Sequence, residues 1–306
     1  MKMTFAERIM IPERFRIPYF GGVWYRFLTR QTRKKIRKVP LESLSLNRDK
    51  RDAKLVFTLT TFPDRIDTVQ YTLRSLYMQT VKPDRVILWL AENEFPGRLP
   101  ESILKFEKIG LEIRYCDNLF GHKRCYKLLA EQREDECIVM FDDDILFPPK
   151  VVERLYQAWK NNPDCIICDR GQVLTFEKDG SVMNPGRWST NSSVGIKTPS
   201  HRLLASPGGG CLVPPRALYE DANNPELIKK YALKTDDIWL MFMAAQNDTK
   251  ILKTYKNHRT FILSEDVQTV QLGREAIYGG RYMKSFAELR KAYPHAYENM
   301  LSEIKD

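Results

Sequence analysis

The strongest constraint on the fold is a regular alternation of short apolar runs with segments of helical period. Four runs rich in β-branched or aromatic residues begin 30, 26 and 26 residues apart, at positions 55–60, 85–90, 111–116 and 137–141. The segment after the first run places five apolar side chains on one helix face, at spacings of three and four: Ile66, Val69, Leu73, Leu76 and Tyr77. This alternation of strands and helices, with strands about 26 to 30 residues apart, predicts an α/β fold with a mostly parallel sheet flanked by helices. Such sheets bind ligands beyond the carboxyl ends of their strands, so functional residues are expected there.

The chain beyond the fourth run is less regular. It predicts, in order, a helix opened by two prolines, a polar excursion over one edge of the sheet, a short apolar strand, a buried helix and a solvated C-terminal helix. These features lie at 148–161, 169–205, 208–214, 238–245 and from Tyr282 onward.

Length and composition favour one large domain with a small appendage. The chain has 306 residues, of which 43% are hydrophobic, enough to bury a substantial core. It contains no apolar run of about 18 residues and no readable secretory signal, so we expect a cytoplasmic protein. Its six cysteines are expected to be reduced, and the Cys165–Cys168 pair is interpreted as part of a buried strand rather than a metal or redox site.

The charge of the chain is concentrated at its start. Residues 1–50 hold 13 basic and 4 acidic side chains, whereas the remaining chain holds 36 and 35. A nearly neutral body argues against nucleic acid as a partner. The extension also carries aromatic residues, and two interpretations stay open: a surface that binds an anionic membrane peripherally at its inner face, or a helix packed on the body with its cations solvated. An RNA-binding arm is a weaker third.

The clearest chemical signal is the acidic cluster Asp142, Asp143 and Asp144 at the end of the fourth apolar run. Three adjacent carboxylates repel one another where a buried strand meets solvent, so they favour a cationic partner. Hard oxygen ligands suit Mg²⁺ or Mn²⁺, which bind through one or two carboxylates together with phosphate oxygens. Capping of the next helix, the alternative interpretation, accounts for only one of the three acids.

The acidic cluster belongs to an ordered set of motifs at 60–65, 75–80, 82–84, 142–144, 208–210 and 235–240. With this set the chain resembles the GT-A glycosyltransferases, particularly family 2-like enzymes of bacterial capsule and lipopolysaccharide assembly. The resemblance extends over residues 54–245. It implies a Rossmann-like GT-A domain at 51–306, with a nucleotide-sugar-binding half at 51–150 and an acceptor-side half at 151–306.

The resemblance also implies a role for each matching residue. Asp142 and Asp144 correspond to the metal ligands, while Asp143 would contact the sugar or ribose. Asp237 corresponds to the base that deprotonates an acceptor hydroxyl, with inversion at the anomeric carbon. The expected contacts to a nucleoside-diphosphate sugar come from the ends of the first and third strands: Thr60, Thr61, Arg65, Asp117 and Lys123.

Some expectations remain open at this stage. Residues 91–94 depart from the family's usual turn, which leaves the base-recognition residue undetermined, and His258 is a weak candidate for an extra metal ligand. The acceptor is expected to be a saccharide or glycolipid. A metal-dependent phosphohydrolase or nucleotidyltransferase is the main rival, and a non-catalytic nucleic-acid-binding protein is another.

Overall fold

A seven-stranded sheet forms the centre of the protein, in the order β10 (Ile251–Lys253), β6 (Ile166–Cys168), β9 (Gly209–Val213), β4 (Glu136–Phe141), β1 (Lys54–Thr60), β2 (Arg85–Ala91) and β3 (Leu111–Cys116). The computed structural model describes residues 21–189, 194–196, 198–254, 261–262 and 280–304, with no side-chain description at 21–26 and 261–262. Strand β9 is antiparallel to both of its neighbours, and the other six strands are parallel. The mostly parallel α/β fold is therefore confirmed.

The strand bounds agree closely with the predicted runs. The sheet consists of β1 (Lys54–Thr60), β2 (Arg85–Ala91), β3 (Leu111–Cys116), β4 (Glu136–Phe141), β6 (Ile166–Cys168), β9 (Gly209–Val213) and β10 (Ile251–Lys253). Two short ladders lie outside it, one pairing β5 (Ile145–Leu146) with β11 (Phe261–Ile262) and the other pairing β7 (Gly171–Val173) with β8 (Leu203–Ala205).

Helices cover both faces of the sheet. In chain order they are α1 (Gly21–Arg37), α2 (Val69–Tyr77), α3 (Glu101–Leu104), α4 (Tyr126–Glu131), α5 (Val151–Asn161), α6 (Pro225–Tyr231), α7 (Asp236–Gln246), α8 (Arg281–Ala292) and α9 (Pro294–Ser302). Alternate residues of each central strand enter different hydrophobic clusters. Val56 packs on the face of α7 and α8, whereas Leu55 and Phe57 pack on the face of α2 and α5. Burial on both faces explains why these strands read as continuous apolar runs.

Helix α1 lies against α2. Thr29, Thr32 and Ile36 are buried, and the Arg33 guanidinium stacks 4.3 Å from the centroid of the Tyr71 ring. Helix α1 thus packs on the body through one face. Residues 1–20 lie outside the described chain, and both interpretations of the extension stay predictions. None of the helices in the described segments is long and apolar enough to cross a membrane.

The C-terminal helices differ from expectation. They were predicted to be solvated, but each buries one face, through Phe286 and Leu289 in α8 and through Tyr297 and Met300 in α9. Both helices pack against α7, and their exposed charged faces masked this amphipathic pattern in the sequence. All six cysteines are free. Cys168 is buried in β6 as predicted, whereas Cys165 lies one residue before the strand and is only partly buried.

Candidate active site

The candidate site lies at the carboxyl edge of the sheet, where β1 and β4 run side by side. Because these strands are paired in parallel up to Leu59 and Phe141, the residues that follow them meet in space. Thr61 and Arg65 come from the β1 side, and the three aspartates come from the β4 side. The convergence expected from the strand pattern is present.

Asp143 is the anchored member of the acidic cluster. It is 5% exposed, its Oδ2 accepts a hydrogen bond from Thr61 Oγ1 at 2.6 Å, and its Oδ1 lies 2.7 Å from Arg65 Nη1. Burial raises the pKa of Asp143, although the Arg65 charge opposes the shift. The predicted sugar or ribose contact stays a prediction, because this carboxylate is bound within the protein.

Asp142 and Asp144 form the more accessible pair, with 38% and 14% of their side chains exposed. Arg65 Nη1 lies 3.0 Å from Asp144 Oδ2. Burial, and then the nearby charge of Asp142, raise the pKa of Asp144 to about 7. A bound cation would favour the charged form of both carboxylates and so oppose this shift. The two carboxylates are therefore a donor set of the kind that fits Mg²⁺ or Mn²⁺.

A close backbone approach holds Asp142 in place. Its backbone N–H donates to the Gly208 carbonyl at 2.7 Å, and a Cβ at position 208 would lie 1.7 Å from Asp142 Oδ1. Only glycine leaves room for the carboxylate here. Within the described segments, no group of three or more His, Cys, Asp or Glu is arranged to hold a metal. Divalent cations of this type commonly complete their shell with substrate phosphate oxygens and water.

Asp237 lies in the first turn of α7, at the same edge of the sheet. Its Oδ1 accepts a hydrogen bond from the Ile238 backbone N–H at 2.9 Å, and its Oδ2 accepts one from the Tyr282 hydroxyl. Burial raises the pKa of Asp237 to about 7, with a further contribution from the charge of Asp236. A carboxylate with this proton affinity suits a general base near neutral pH.

Arg124 connects the two acidic groups, a role that the sequence did not indicate. Its guanidinium lies 2.5 Å from Asp142 Oδ1 and 3.2 Å from Asp236 Oδ2. Its neighbour Lys123 is instead the residue that the sequence predicts to contact the nucleoside-diphosphate donor. The run of basic residues that follows the third predicted strand was the available signal, but the partners of Arg124 depend on the folding of distant segments.

The other predicted donor contacts are spread around this edge. Lys123 is buried and pairs with Glu94 at 3.0 Å, and Glu94 also accepts a hydrogen bond from Asn118 at 2.8 Å. Thr60 Oγ1 donates to the Trp89 carbonyl at 2.8 Å, while Asp117 is exposed after β3. Glu94 was missed as a site residue, although it lies in the turn that departs from the family pattern. His258 lies outside the described residues.

Comparison with known proteins agrees with this architecture. Residues 59–201 match the family model for Glycosyl transferase family 2. A mannosyltransferase from Pyrobaculum calidifontis, solved with GDP-Man and Mn²⁺, superposes with a TM-score of 0.52 at 12% identity, covering 91% of this chain and 77% of that one. At that identity the likeness establishes the fold alone.

A second solved structure aligns over a smaller region. It is the glucosyl-3-phosphoglycerate synthase from Mycobacterium tuberculosis, in complex with Mn²⁺, UDP-Glc and phosphoglyceric acid. It gives a TM-score of 0.30 at 11% identity and covers 41% of this chain and 50% of that one, which is too little to support a conclusion. A search of curated protein sequences gives no match.

Proposed function

We propose that this chain is a GT-A-fold, family 2-like glycosyltransferase that transfers a sugar from a nucleoside-diphosphate donor to an acceptor hydroxyl with inversion. One observation carries the proposal. An accessible carboxylate pair, Asp142 and Asp144, shares the carboxyl edge of the sheet with Asp237, a carboxylate whose pKa is about 7. Leaving-group stabilisation and proton removal are the two tasks that such a transfer requires.

The donor side of the site rests on the acidic cluster. Asp142 and Asp144 would hold Mg²⁺ or Mn²⁺, which supplies Lewis-acid stabilisation of the charge on a departing diphosphate. Thr61 and Arg65 keep this cluster in place through Asp143, at 2.6 and 2.7 Å. The Mn²⁺ and GDP-Man bound by the mannosyltransferase from Pyrobaculum calidifontis, which has a similar fold, support this assignment. Thr60, Asp117 and Lys123 remain our proposed donor-side residues at the surrounding strand ends.

On the acceptor side, Asp237 removes the proton. An alcohol becomes a competent nucleophile only as its proton is withdrawn, and a carboxylate with a pKa of about 7 accepts that proton efficiently at neutral pH. Tyr282 orients the carboxylate by donating to Oδ2. Direct displacement by the acceptor oxygen needs no covalent intermediate and inverts the anomeric centre.

The acceptor class and the cellular location are also part of the proposal. We place the acceptor among saccharides or glycolipids of cell-surface polysaccharide or lipopolysaccharide synthesis, at the inner face of the membrane. The outward face of α1 and the residue after it support a peripheral position, because they present exposed cations that form no ion pair with a described residue: Arg30, Lys34, Lys35, Arg37 and Lys38. Each cation near an anionic membrane contributes about 1 kcal/mol to binding.

A thermal-shift screen tests the function directly. Nucleoside diphosphates and nucleotide sugars are added with and without Mn²⁺, and a true ligand raises the melting temperature by mass action. We expect a Mn²⁺-dependent shift with one nucleotide, followed by sugar release from the corresponding donor. Phosphate release from model esters without sugar transfer would instead identify a phosphohydrolase.

A further inference from the structure

Arg124 occupies an unusual position between the two halves of the candidate site. It ends the 3₁₀ turn Phe120–Arg124, between β3 and α4. Its Nη1 reaches Asp142, which follows β4, and its Nη2 reaches Asp236 at the start of α7, at 2.5 and 3.2 Å. One guanidinium thus binds a carboxylate of the acidic cluster and the carboxylate next to the proposed base.

The side chain is fixed from several directions. It is 7% exposed, Nε donates to the Gly121 carbonyl at 2.9 Å, and Nη1 lies 3.4 Å from the Phe141 carbonyl. The Arg124 carbonyl in turn accepts a hydrogen bond from Thr58 Oγ1 at 2.6 Å, which ties the turn to β1. A guanidinium held in this way cannot swing freely toward a substrate.

Both of its carboxylate partners lie against glycines. A Cβ at position 121 would lie 2.7 Å from the Asp236 carboxylate, and one at 208 would lie 1.7 Å from Asp142. The chain therefore leaves room for each carboxylate at the place where it meets Arg124. Four separate segments meet here: the turn Phe120–Arg124, Asp142 after β4, Gly208 before β9 and Asp236 at the start of α7. A single surface ion pair would need only two.

We propose that Arg124 is a positioning residue that sets the distance between the acidic cluster and the base-bearing turn of α7. A planar guanidinium holds two carboxylates in one geometry, which a flexible ammonium does not reproduce. Transfer depends on aligning the acceptor oxygen, held near Asp237, with the donor held near Asp142 and Asp144. An error of about 1 Å in such alignment lowers the rate by about 100-fold. The inference rests on the glycosyltransferase function proposed above.

The test compares Arg124→Met and Arg124→Lys with a matched control, Arg85→Met. Arg85 also lies near two carboxylates, Glu112 at 2.7 Å and Glu136 at 3.8 Å, but at the opposite end of the strands. For each variant we measure the melting temperature, the dissociation constant of Mn²⁺–nucleoside diphosphate by calorimetry, and kcat and KM for transfer. Asp236→Asn and the double variant Arg124→Met/Asp236→Asn complete the set.

A positioning role predicts a particular pattern. Arg124→Met lowers kcat by about 100-fold, while Arg85→Met stays within about threefold of the unaltered protein at a similar loss of melting temperature. Arg124→Lys falls between them, and the double variant is no slower than Arg124→Met, because both residues act through one bridge. If Arg124→Met does not fold, Asp236→Asn alone still removes one end of the bridge and is expected to lower kcat by about tenfold without weakening nucleotide binding.

Other results overturn the inference. Equal effects of the Arg124 and Arg85 variants on kcat would reduce Arg124 to a stability role. A change confined to the KM for the donor would make Arg124 a substrate contact. If the double variant lost kcat by the product of the two single effects, Arg124 and Asp236 would act independently. These outcomes leave the proposed function intact when the unaltered protein transfers sugar. If the unaltered protein neither binds a nucleotide with Mn²⁺ nor transfers sugar, the proposed function fails and the inference fails with it.

Discussion

The Tyr282 hydroxyl donates a hydrogen bond to Oδ2 of Asp237 and so links helix α8 to the first turn of α7. Burial and Asp236 raise the pKa of this carboxyl to about 7, while the Tyr282 hydrogen bond lowers it. The pKa of the proposed base is therefore set by burial and Asp236, which raise it, and by hydrogen bonds from Tyr282 and the Ile238 backbone N–H, which lower it. The Tyr282 ring also packs against Trp188, with centroids 5.8 Å apart, so the hydroxyl is held by neighbouring structure.

Replacing Tyr282 with phenylalanine is expected to shift the pH dependence of transfer. The base acts when deprotonated, so kcat/KM should rise with pH through about 7 and then level off. Loss of a hydrogen bond to the carboxylate raises its pKa, which moves this rise upward by about one pH unit. A pH–rate profile measures the shift. Tyr293→Phe, which removes a 2.9 Å hydrogen bond to Asp221, should leave the profile unchanged.

Asp237→Asn removes the proposed proton acceptor while keeping the side-chain shape. We expect kcat to fall by about 100-fold or more, with donor affinity retained. Steady-state kinetics and calorimetric titration of the nucleotide separate the two quantities. A matched Asp221→Asn variant should keep full turnover. An equal loss of donor binding in Asp237→Asn would assign that residue a structural role instead.

Asp144→Ala tests the cation-binding pair. The pKa of Asp144 is raised to about 7 by burial and by Asp142, so its removal relieves repulsion and should not destabilise the fold. We expect loss of Mn²⁺-dependent turnover and loss of the Mn²⁺-dependent nucleotide shift, with the melting temperature of the free protein preserved. Asp135→Ala, at an exposed ion pair with Lys54, is the control. Full activity of Asp144→Ala would contradict the assignment.

Gly208→Ala tests Asp142, the other member of the cation-binding pair, through the backbone that lies against it. The added methyl group would meet Asp142 Oδ1 at 1.7 Å, so the carboxylate must move away from its present position. We expect at least a tenfold weakening of Mn²⁺–nucleotide binding, measured by calorimetry, and a parallel loss of activity. Gly97→Ala, where no atom lies within 4 Å of the added Cβ, should behave like the unaltered protein.

The outward face of α1 is expected to bind anionic membranes. Replacing Lys34 and Lys35 with glutamine removes two exposed cations and should weaken sedimentation with phosphatidylserine vesicles by about tenfold or more. Neutral vesicles and a double variant at the exposed Lys178 and Lys291 serve as controls. Equal binding by both double variants would show that this face is simply solvated.

The sequence was most informative about features governed by local pattern. The strand bounds, helix α2 and the meeting of Thr61, Arg65 and the acidic cluster were all predicted, because parallel strands place their carboxyl ends at one edge. The prediction for the C-terminal helices was wrong about solvation, since the surface that covers Phe286 and Leu289 comes from distant segments. Lys123 shows the same limit, because its pairing with Glu94 depends on how two strand-end turns approach each other.

By itself, the sequence determined the α/β architecture and the place where acidic chemistry gathers, because side-chain periodicity and strand direction are local properties. Only the tertiary structure decided which carboxylates are anchored, which stay accessible and which acquire a pKa near neutrality. Those outcomes depend on burial and on charges brought together across the chain, as when Arg124 joins Asp142 to Asp236. Electrostatic energies change steeply with the distance between charges and with their exposure to solvent. Both quantities are known only once the chain has folded.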